Sequence, residues 1–182
     1  RPLAALVDRF KAHGLTPVMA MELEFYLYDP TNARPIAPVS PVTGKRLDAD
    51  GVLSIDELDD FGSFFEEVYA ACPAQGVPAD SAIAENGIGQ FEINLMHVDD
   101  PLRAADDAVL FKRIVRGLAR KHGFAASFMA KPYGERSGSG LHVHFSLLDS
   151  KGRNVFDDGS NDGSITMRNA VGGLIESMPE TT

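Results

Sequence analysis

Carboxylates and imidazoles occupy alternate positions in three short segments of this sequence. Glu22 and Glu24 alternate with bulky apolar residues, as do Glu92 in a second segment and His142 and His144 in a third. Successive side chains of a β-strand point to opposite faces, so each segment predicts a strand with one apolar and one polar face. If the strands share a sheet, their polar residues gather on one side. The polar set is Glu22, Glu24, Glu92, Asn94, His142, His144 and Ser146.

A cluster of carboxylates repels itself, so its members either bind a cation or have raised pKa values. Oxygen ligands with an occasional imidazole suit Mg²⁺ or Mn²⁺ better than Zn²⁺. The sequence has one cysteine and no H-E-x-x-H motif, which removes the usual zinc sites. Glu85 precedes Glu92 across a glycine-rich turn and is expected to reach the same place. The pattern therefore predicts a magnesium or manganese site. The alternative is a half-solvated sheet whose polar face is simply exposed.

A glycine-rich segment, Gly134 to Gly140, stands directly before the histidine strand. It lacks the G-K-[ST] ending of a phosphate-binding loop, and it contains no G-x-G-x-x-G motif. Taken alone, it predicts a flexible loop. Beside a metal site, its backbone N–H groups could bind an anionic substrate. Lys131 and Arg136 add positive charge to this part of the chain.

Composition limits the possible partners. The chain has 182 residues and a formal net charge of −9, which argues against nucleic acid and anionic membrane surfaces as partners. No apolar run approaches the roughly 18 residues of a membrane span. Cys72 has no second cysteine to pair with, and nothing reads as a secretory signal, so we expect a reducing cytoplasm. The sequence begins at Arg1 rather than Met, which suggests a piece of a longer protein.

The elements that must position these residues follow from periodicity and capping signals. Ser54 and Glu57 form a capping box before a helix expected to continue to Cys72. Asp100 and Pro101 mark the start of another helix. We predict an α+β fold with a largely antiparallel sheet, a long loop over 30–54 and no linker dividing two domains. The other predicted elements are helices over 2–13 and from 164 to before Pro179, and strands over 16–28, within 79–96 around Asn86-Gly87, and near 124–129 and 139–148.

Three motifs in this order resemble the glutamine synthetase family. They are residues 21–28, residues 85–92, and residues 131–134 leading to 138–146. The details are more similar to the γ-glutamylpolyamine synthetase branch than to the ammonia-using enzymes. The resemblance implies a partial glutamine synthetase/guanido kinase-like catalytic domain over 1–182. The family's N-terminal β-grasp domain and the second half of its catalytic domain would then be absent from this chain.

The resemblance also implies roles for residues. Where the ammonia-using enzymes have an asparagine that orients glutamate, this sequence has Ser137, so the acid substrate stays open. The family's flap acid and phosphate-binding arginines have no counterpart here, so the catalytic residues are unknown. The implied sets are Glu24, Glu85 and Glu92 for a first metal, Glu22 and His142 for a second, His144 and Ser146 beside ATP, and Gly138 with Ser137 for the amino-acid substrate.

The family's chemistry is ligation in two steps, in which ATP phosphorylates the glutamate side chain and ammonia or an amine then displaces phosphate. The resemblance therefore implies a cytoplasmic, homo-oligomeric ligase that uses Mg²⁺ or Mn²⁺ and small-molecule substrates. We expect this chain alone to be inactive. Two alternatives stay open: a catalytically silent family member with a binding or assembly role, and another phosphoryl-transfer enzyme, such as a guanidino kinase-like or glutamate–thiol ligase.

Overall fold

The computed structural model describes residues 2–32, 34–49 and 51–181. Arg1, Ala33, Asp50 and Thr182 lie outside the described residues, including two positions of the predicted 30–54 loop. The chain forms two compact units. The smaller unit contains the residues up to Met19, Val98–Leu102 and the residues from His144 onward, and the larger unit contains Ala20–His97 and Arg103–Val143.

The elements follow the predicted order. They are α1 Pro2–Ala12, β1 Thr16–Tyr28, α2 Ile55–Asp60, α3 Gly62–Ala74, β2 Ala79–Ala84, β3 Gln90–Leu95, α4 Pro101–Lys121, β4 Ala125–Ser127, β5 Leu141–Leu148 and α5 Ile165–Thr181. The predicted α+β class is confirmed.

An antiparallel sheet is the main feature of the larger unit. Its order is β2-β3-β1-β4, and β5 also pairs with β1. β1 and β3 are antiparallel, with Glu22 opposite Asn94 and Glu24 opposite Glu92. β2 and β3 form the predicted hairpin, closed by a hydrogen bond of 2.8 Å from the Glu85 N–H to the Gln90 carbonyl. Residues 22 and 24 of β1 therefore share one face of the sheet with residues 92 and 94 of β3.

The opposite face of β1 and β3 packs into an aromatic core. The rings of Phe25 and Phe91 are fully buried, with centroids 6.2 Å apart. Phe61 and Phe65 pack edge-on against Phe91 at 5.4 and 5.1 Å. Cys72 is also buried in the core, and burial raises the pKa of its thiol to about 11. Burial of these large apolar side chains holds the strands in register.

The prediction of a single helix from Ser54 to Cys72 is wrong. The structure has two helices, α2 and α3, which are separated at Phe61. The Ser54 hydroxyl accepts from the Glu57 N–H at 3.2 Å, as the capping box predicted. Phe61 leaves helical geometry (φ −106°, ψ 17°), is 1% exposed, and Gly62 follows it. Burying the Phe61 ring against Phe91 outweighs the hydrogen bonds of a continuous helix, and glycine weakens helix propensity at this point.

In the smaller unit, Phe145 packs against Phe10 and Phe156, with centroids 5.9 Å from each. The Ser164 hydroxyl accepts from the Met167 N–H at 3.1 Å and so caps α5, where the sequence predicts the helix to begin. The prediction that α5 ends before Pro179 is wrong, because the helix continues to Thr181. Pro179 lies only two residues before the end of the helix, so its missing N–H and bulky ring affect only the last turn. Within the described residues, no helix is both long and apolar enough to cross a membrane.

Candidate metal centre

The polar face of β1 and β3 brings together the carboxylates that the sequence predicts to cluster. Glu24 and Glu92 are direct cross-strand partners, and Glu22 is two residues from Glu24 on the same face. Glu92 is 6% exposed, so its carboxylate is largely withdrawn from solvent. Like charges placed opposite each other on a sheet are destabilising unless something compensates them. A cation bound at this face would therefore compensate the repulsion between the carboxylates.

His142 approaches this face from β5. Its Nδ1 lies 2.9 Å from a carboxylate oxygen of Glu22. One ligand atom from each of Glu22, Glu92 and His142 lies within 4.8 Å of the others. Two carboxylates and one imidazole converging at such distances fit a divalent cation that prefers oxygen ligands. These three residues come from both of the ligand sets that the family resemblance implies.

Gly140 opens the space between His142 and Glu24. Its carbonyl accepts a hydrogen bond of 3.2 Å from the Glu24 backbone N–H. A Cβ atom at this position would lie 2.8 Å from Glu24 Oε1 and 3.1 Å from His142 Nε2. A side chain here would therefore displace one or both of these groups. Glycine at position 140 lets the imidazole and the second carboxylate border the same space in their present positions.

The electrostatics of the face match its geometry. Burial first, and then Glu22 and other carboxylates, raise the pKa of Glu92 to about 7. Burial and the charge of Glu24 also raise the pKa of Glu85, which shows that Glu85 belongs to the same electrostatic cluster. The hydrogen bond that His142 makes to the Glu22 carboxylate raises the pKa of His142. Raised carboxylate pKa values are expected where negative charges share a site without a cation. A divalent cation bound here would lower the pKa values of these carboxylates and of His142. The electrostatics of this cluster therefore fit a divalent cation.

The segment over 131–140 is fastened to this face by contacts that the sequence analysis missed. The Tyr26 hydroxyl donates to the Ser137 carbonyl at 2.8 Å, and the Asn86 amide donates to the Ser137 hydroxyl at 2.9 Å. Gln90 donates to the Gly138 carbonyl at 2.9 Å. A signal for two of these residues was present. Tyr26 and Gln90 stand in phase with the glutamates of their own strands, so the same alternation places them on the polar face.

The two predicted loop cations make contacts within the loop itself. The Arg136 guanidinium lies over the Tyr133 ring, 4.6 Å from its centroid. The Lys131 ammonium donates to the Arg136 carbonyl. Both side chains therefore stabilise the loop's own conformation. The other predicted residues, His144 and Ser146, belong to the smaller unit, where His144 is exposed and Ser146 is half-buried.

The chain is similar to known proteins over nearly its whole length. The family described as "Glutamine synthetase, catalytic domain" matches residues 1–182. γ-Glutamylputrescine synthetase PuuA of Escherichia coli (strain K12) is 41% identical over 182 residues, covering 98% of this chain and 39% of that protein. Glutamate–isopropylamine ligase of Pseudomonas sp is 33% identical over 176 residues, covering 90% of this chain and 36% of that protein.

A solved structure supports the same relationship. The structure described as a GmaS/ADP complex superposes with a TM-score of 0.83 at 28% sequence identity, covering 97% of this chain and 40% of that one. The chain belongs to the glutamine synthetase catalytic-domain family. It spans about two fifths of the length of the relatives it matches.

Proposed function

We propose that these residues form the metal-binding part of an ATP-dependent ligase that joins glutamate to ammonia or an amine. The observation that carries this proposal is the convergence of Glu22, Glu92 and His142, whose ligand atoms lie within 4.8 Å of one another. Family membership supports the ligase class. The names of two relatives, γ-glutamylputrescine synthetase and glutamate–isopropylamine ligase, support an organic amine as the acceptor.

In this proposal the chain's own side chains hold Mg²⁺ or Mn²⁺ in two places. Glu24 and Glu92 of one set share a sheet face with Glu22 of the other, so the two cations would be neighbours. When bound, the cations would neutralise and orient the phosphoryl group that passes from ATP to the acid substrate. The ligands are Glu24, Glu85 and Glu92 for one cation and Glu22 and His142 for the other; His144 and Ser146 would lie beside the nucleotide.

The loop over 131–140 would bind the acid substrate. Gly138 and Ser137 are the proposed contacts. Hydrogen bonds from Tyr26, Asn86 and Gln90 already hold the loop against the polar face of β1 and β3. In the reaction, the substrate carboxylate would take the γ-phosphoryl group and release ADP. The amine nitrogen would then attack the acyl carbon, lose a proton and expel phosphate. A reactive acyl phosphate must be shielded from water until the amine arrives, so a well-anchored loop would favour the ligation.

The setting of the whole protein is also part of the proposal. We place it in the cytoplasm as a homo-oligomer acting on small molecules, not on nucleic acid or membranes. The free, buried thiol of Cys72 supports a reducing compartment. The net charge of −9 disfavours nucleic acid and anionic membranes as partners. We treat residues 1–182 as part of a longer glutamine synthetase-type catalytic domain. The coverage of about two fifths of each relative supports this view.

The test is product analysis with the whole protein. ATP, Mg²⁺, glutamate and a panel containing ammonium, monoamines and diamines are supplied, and γ-glutamyl amides are identified by mass spectrometry alongside phosphate release. We expect one or more γ-glutamyl amides, lost in Glu92→Gln and kept in Glu66→Gln, which removes an exposed carboxylate of α3. A phosphoguanidine or a glutamyl thioester as the product would overturn the proposal. Binding of ATP with no turnover for any amine would instead favour a silent family member.

A further inference from the structure

Gln90 is a fully buried amide at the start of β3, with 1% of its surface exposed. Burying an amide is costly unless all its polar atoms find partners. The partners of Gln90 come from three separate parts of the larger unit. Its Oε1 accepts from the Gly87 N–H at 2.9 Å, and its Nε2 donates to Glu24 Oε2 at 2.8 Å and to the Gly138 carbonyl at 2.9 Å.

These contacts fix the orientation of the Gln90 amide. Both of its N–H groups are used on acceptors, and its oxygen is used on a donor. Rotating the amide by half a turn would place its oxygen against a carboxylate and a carbonyl, and its NH₂ against the Gly87 N–H. The side chain therefore has one satisfied orientation. The turn before β3 leaves room for it because a Cβ at Gly87 would lie 2.7 Å from Gln90 Oε1.

The hydrogen bond from Gln90 fixes the plane of the Glu24 carboxylate. Oε2 is occupied by the amide of Gln90. Oε1 lies 2.8 Å from the position of a Cβ at Gly140, and His142 Nε2 lies 3.1 Å from the same position. Glu24 Oε1 and His142 Nε2 therefore border the same space. Without Gln90, the carboxylate could rotate about its last bond and turn its plane away from that space.

We propose that Gln90 is a positioning residue that aims Glu24 Oε1 at the cation site and links that carboxylate to the Gly138 carbonyl. This role of Gln90 rests on the metal centre of the proposed function. It adds a coupling between cation binding and the 131–140 loop. A cation that holds Glu24 in place also holds the Gln90 amide in place. The amide in turn holds the 131–140 loop through the Gly138 carbonyl. Cation binding should therefore slow hydrogen exchange in the 131–140 loop. Partners of metal-binding carboxylates typically contribute about 10–100-fold to metal affinity.

The experiment measures Mn²⁺ affinity by calorimetry, and amide hydrogen exchange of the 131–140 loop with and without Mn²⁺. Gln90→Met keeps the volume and removes all three hydrogen bonds. Gln90→Glu keeps an acceptor for Gly87 but sets a carboxylate against Glu24. The matched control is Asp107→Asn, a polar residue 1% exposed in α4 whose carboxylate accepts from Arg103 at 2.6 Å. Thermal unfolding without Mn²⁺ reports the loss of stability in each variant.

We expect the wild-type loop to gain protection with Mn²⁺, both Gln90 variants to bind Mn²⁺ about 10–100-fold more weakly, and their loops to gain none. Asp107→Asn should lose stability and keep its affinity. Equal affinity in wild type and Gln90 variants would overturn the role of Gln90 alone. So would an equal loss in the control, or a wild-type loop indifferent to Mn²⁺. Absence of Mn²⁺ binding in the wild type would overturn both the metal centre and the role of Gln90.

Discussion

Glu24 and Glu92 face each other directly across β1 and β3, two carboxylates at one cross-strand position. This pairing does not stabilise the sheet, because like charges opposite each other are destabilising. Aromatic packing of Phe25 and Phe91 on the opposite face holds the strands together despite it. The fold therefore tolerates a local electrostatic cost at the place where a cation would remove it. This is the pattern expected of a functional site, where local rules give way.

The first prediction concerns pH. The pKa of Glu92 is raised from 4.5 to about 7, and those of Glu85 and His142 are also raised. A group whose pKa is higher in the folded state stabilises the fold at low pH, and this contribution is lost as pH rises through the folded value. In EDTA, the melting temperature should fall as pH rises from 5 to 8, most steeply up to about pH 7.

The control for this prediction is Glu92→Gln, which removes one of the crowded charges. Without a divalent cation at pH 8, it should raise the melting temperature by a few degrees, since 1 kcal/mol corresponds to about 2–4 °C in a chain of this size. Saturating Mg²⁺ should raise the wild-type melting temperature more at pH 8 than at pH 5, because cations compete with protons for the carboxylates. A flat pH profile in EDTA, or a lower melting temperature for the variant at pH 8, would show that the carboxylates do not interact as described.

The second prediction concerns Gly140. In Gly140→Ala, the new methyl group would lie 2.8 Å from Glu24 Oε1 and 3.1 Å from His142 Nε2, so it must push the two ligands apart. We expect Mn²⁺ affinity to fall by about tenfold or more, as for other displaced ligand positions. Gly134→Ala in the same segment is the matched control, because a Cβ there meets nothing within 4 Å. Equal Mn²⁺ affinities in calorimetric titrations of the two variants would rule out this role for Gly140.

The third prediction concerns the core beneath the site. Phe91 is fully buried among Phe25, Phe61 and Phe65. Phe91→Ala should lower the free energy of unfolding by about 3–5 kcal/mol, the usual loss for a large buried aromatic side chain. Phe145→Ala, at a ring that is 39% exposed, should cost clearly less. Urea unfolding of both variants measures the difference. Similar losses would mean that the core is not centred on Phe91.

Much of the fold was predictable because its signals are local. Alternation in β1 depends only on the residues of that strand, and it predicted the polar face that carries Glu22 and Glu24. The caps at Ser54 and Ser164 are equally local, since each involves residues three apart. The break at Phe61 was not predictable in this way. Phe61 packs edge-on against Phe91, which is distant in sequence, and no local pattern indicates that contact.

The candidate site also has one part that local signals predict and another part that depends on long-range contacts. Three of the five predicted metal ligands meet in one cluster, because alternation fixes the face on which each side chain lies. The anchoring of the 131–140 loop could not be predicted, since it rests on long-range contacts such as Gln90 to Gly138, 48 residues apart. No local pattern specifies which buried amide meets which loop carbonyl.

The most direct measurement is a calorimetric Mn²⁺ titration of the chain and of a Glu24→Ala, Glu92→Ala double variant. A Glu66→Ala, Glu176→Ala variant is the control, because it removes the same charge from two exposed positions outside the site. Saturable binding in the wild type and the control, lost in the Glu24/Glu92 variant, is the predicted result. Binding that survives in the Glu24/Glu92 variant, or that is absent from the wild type, would contradict a metal centre on this face of the sheet.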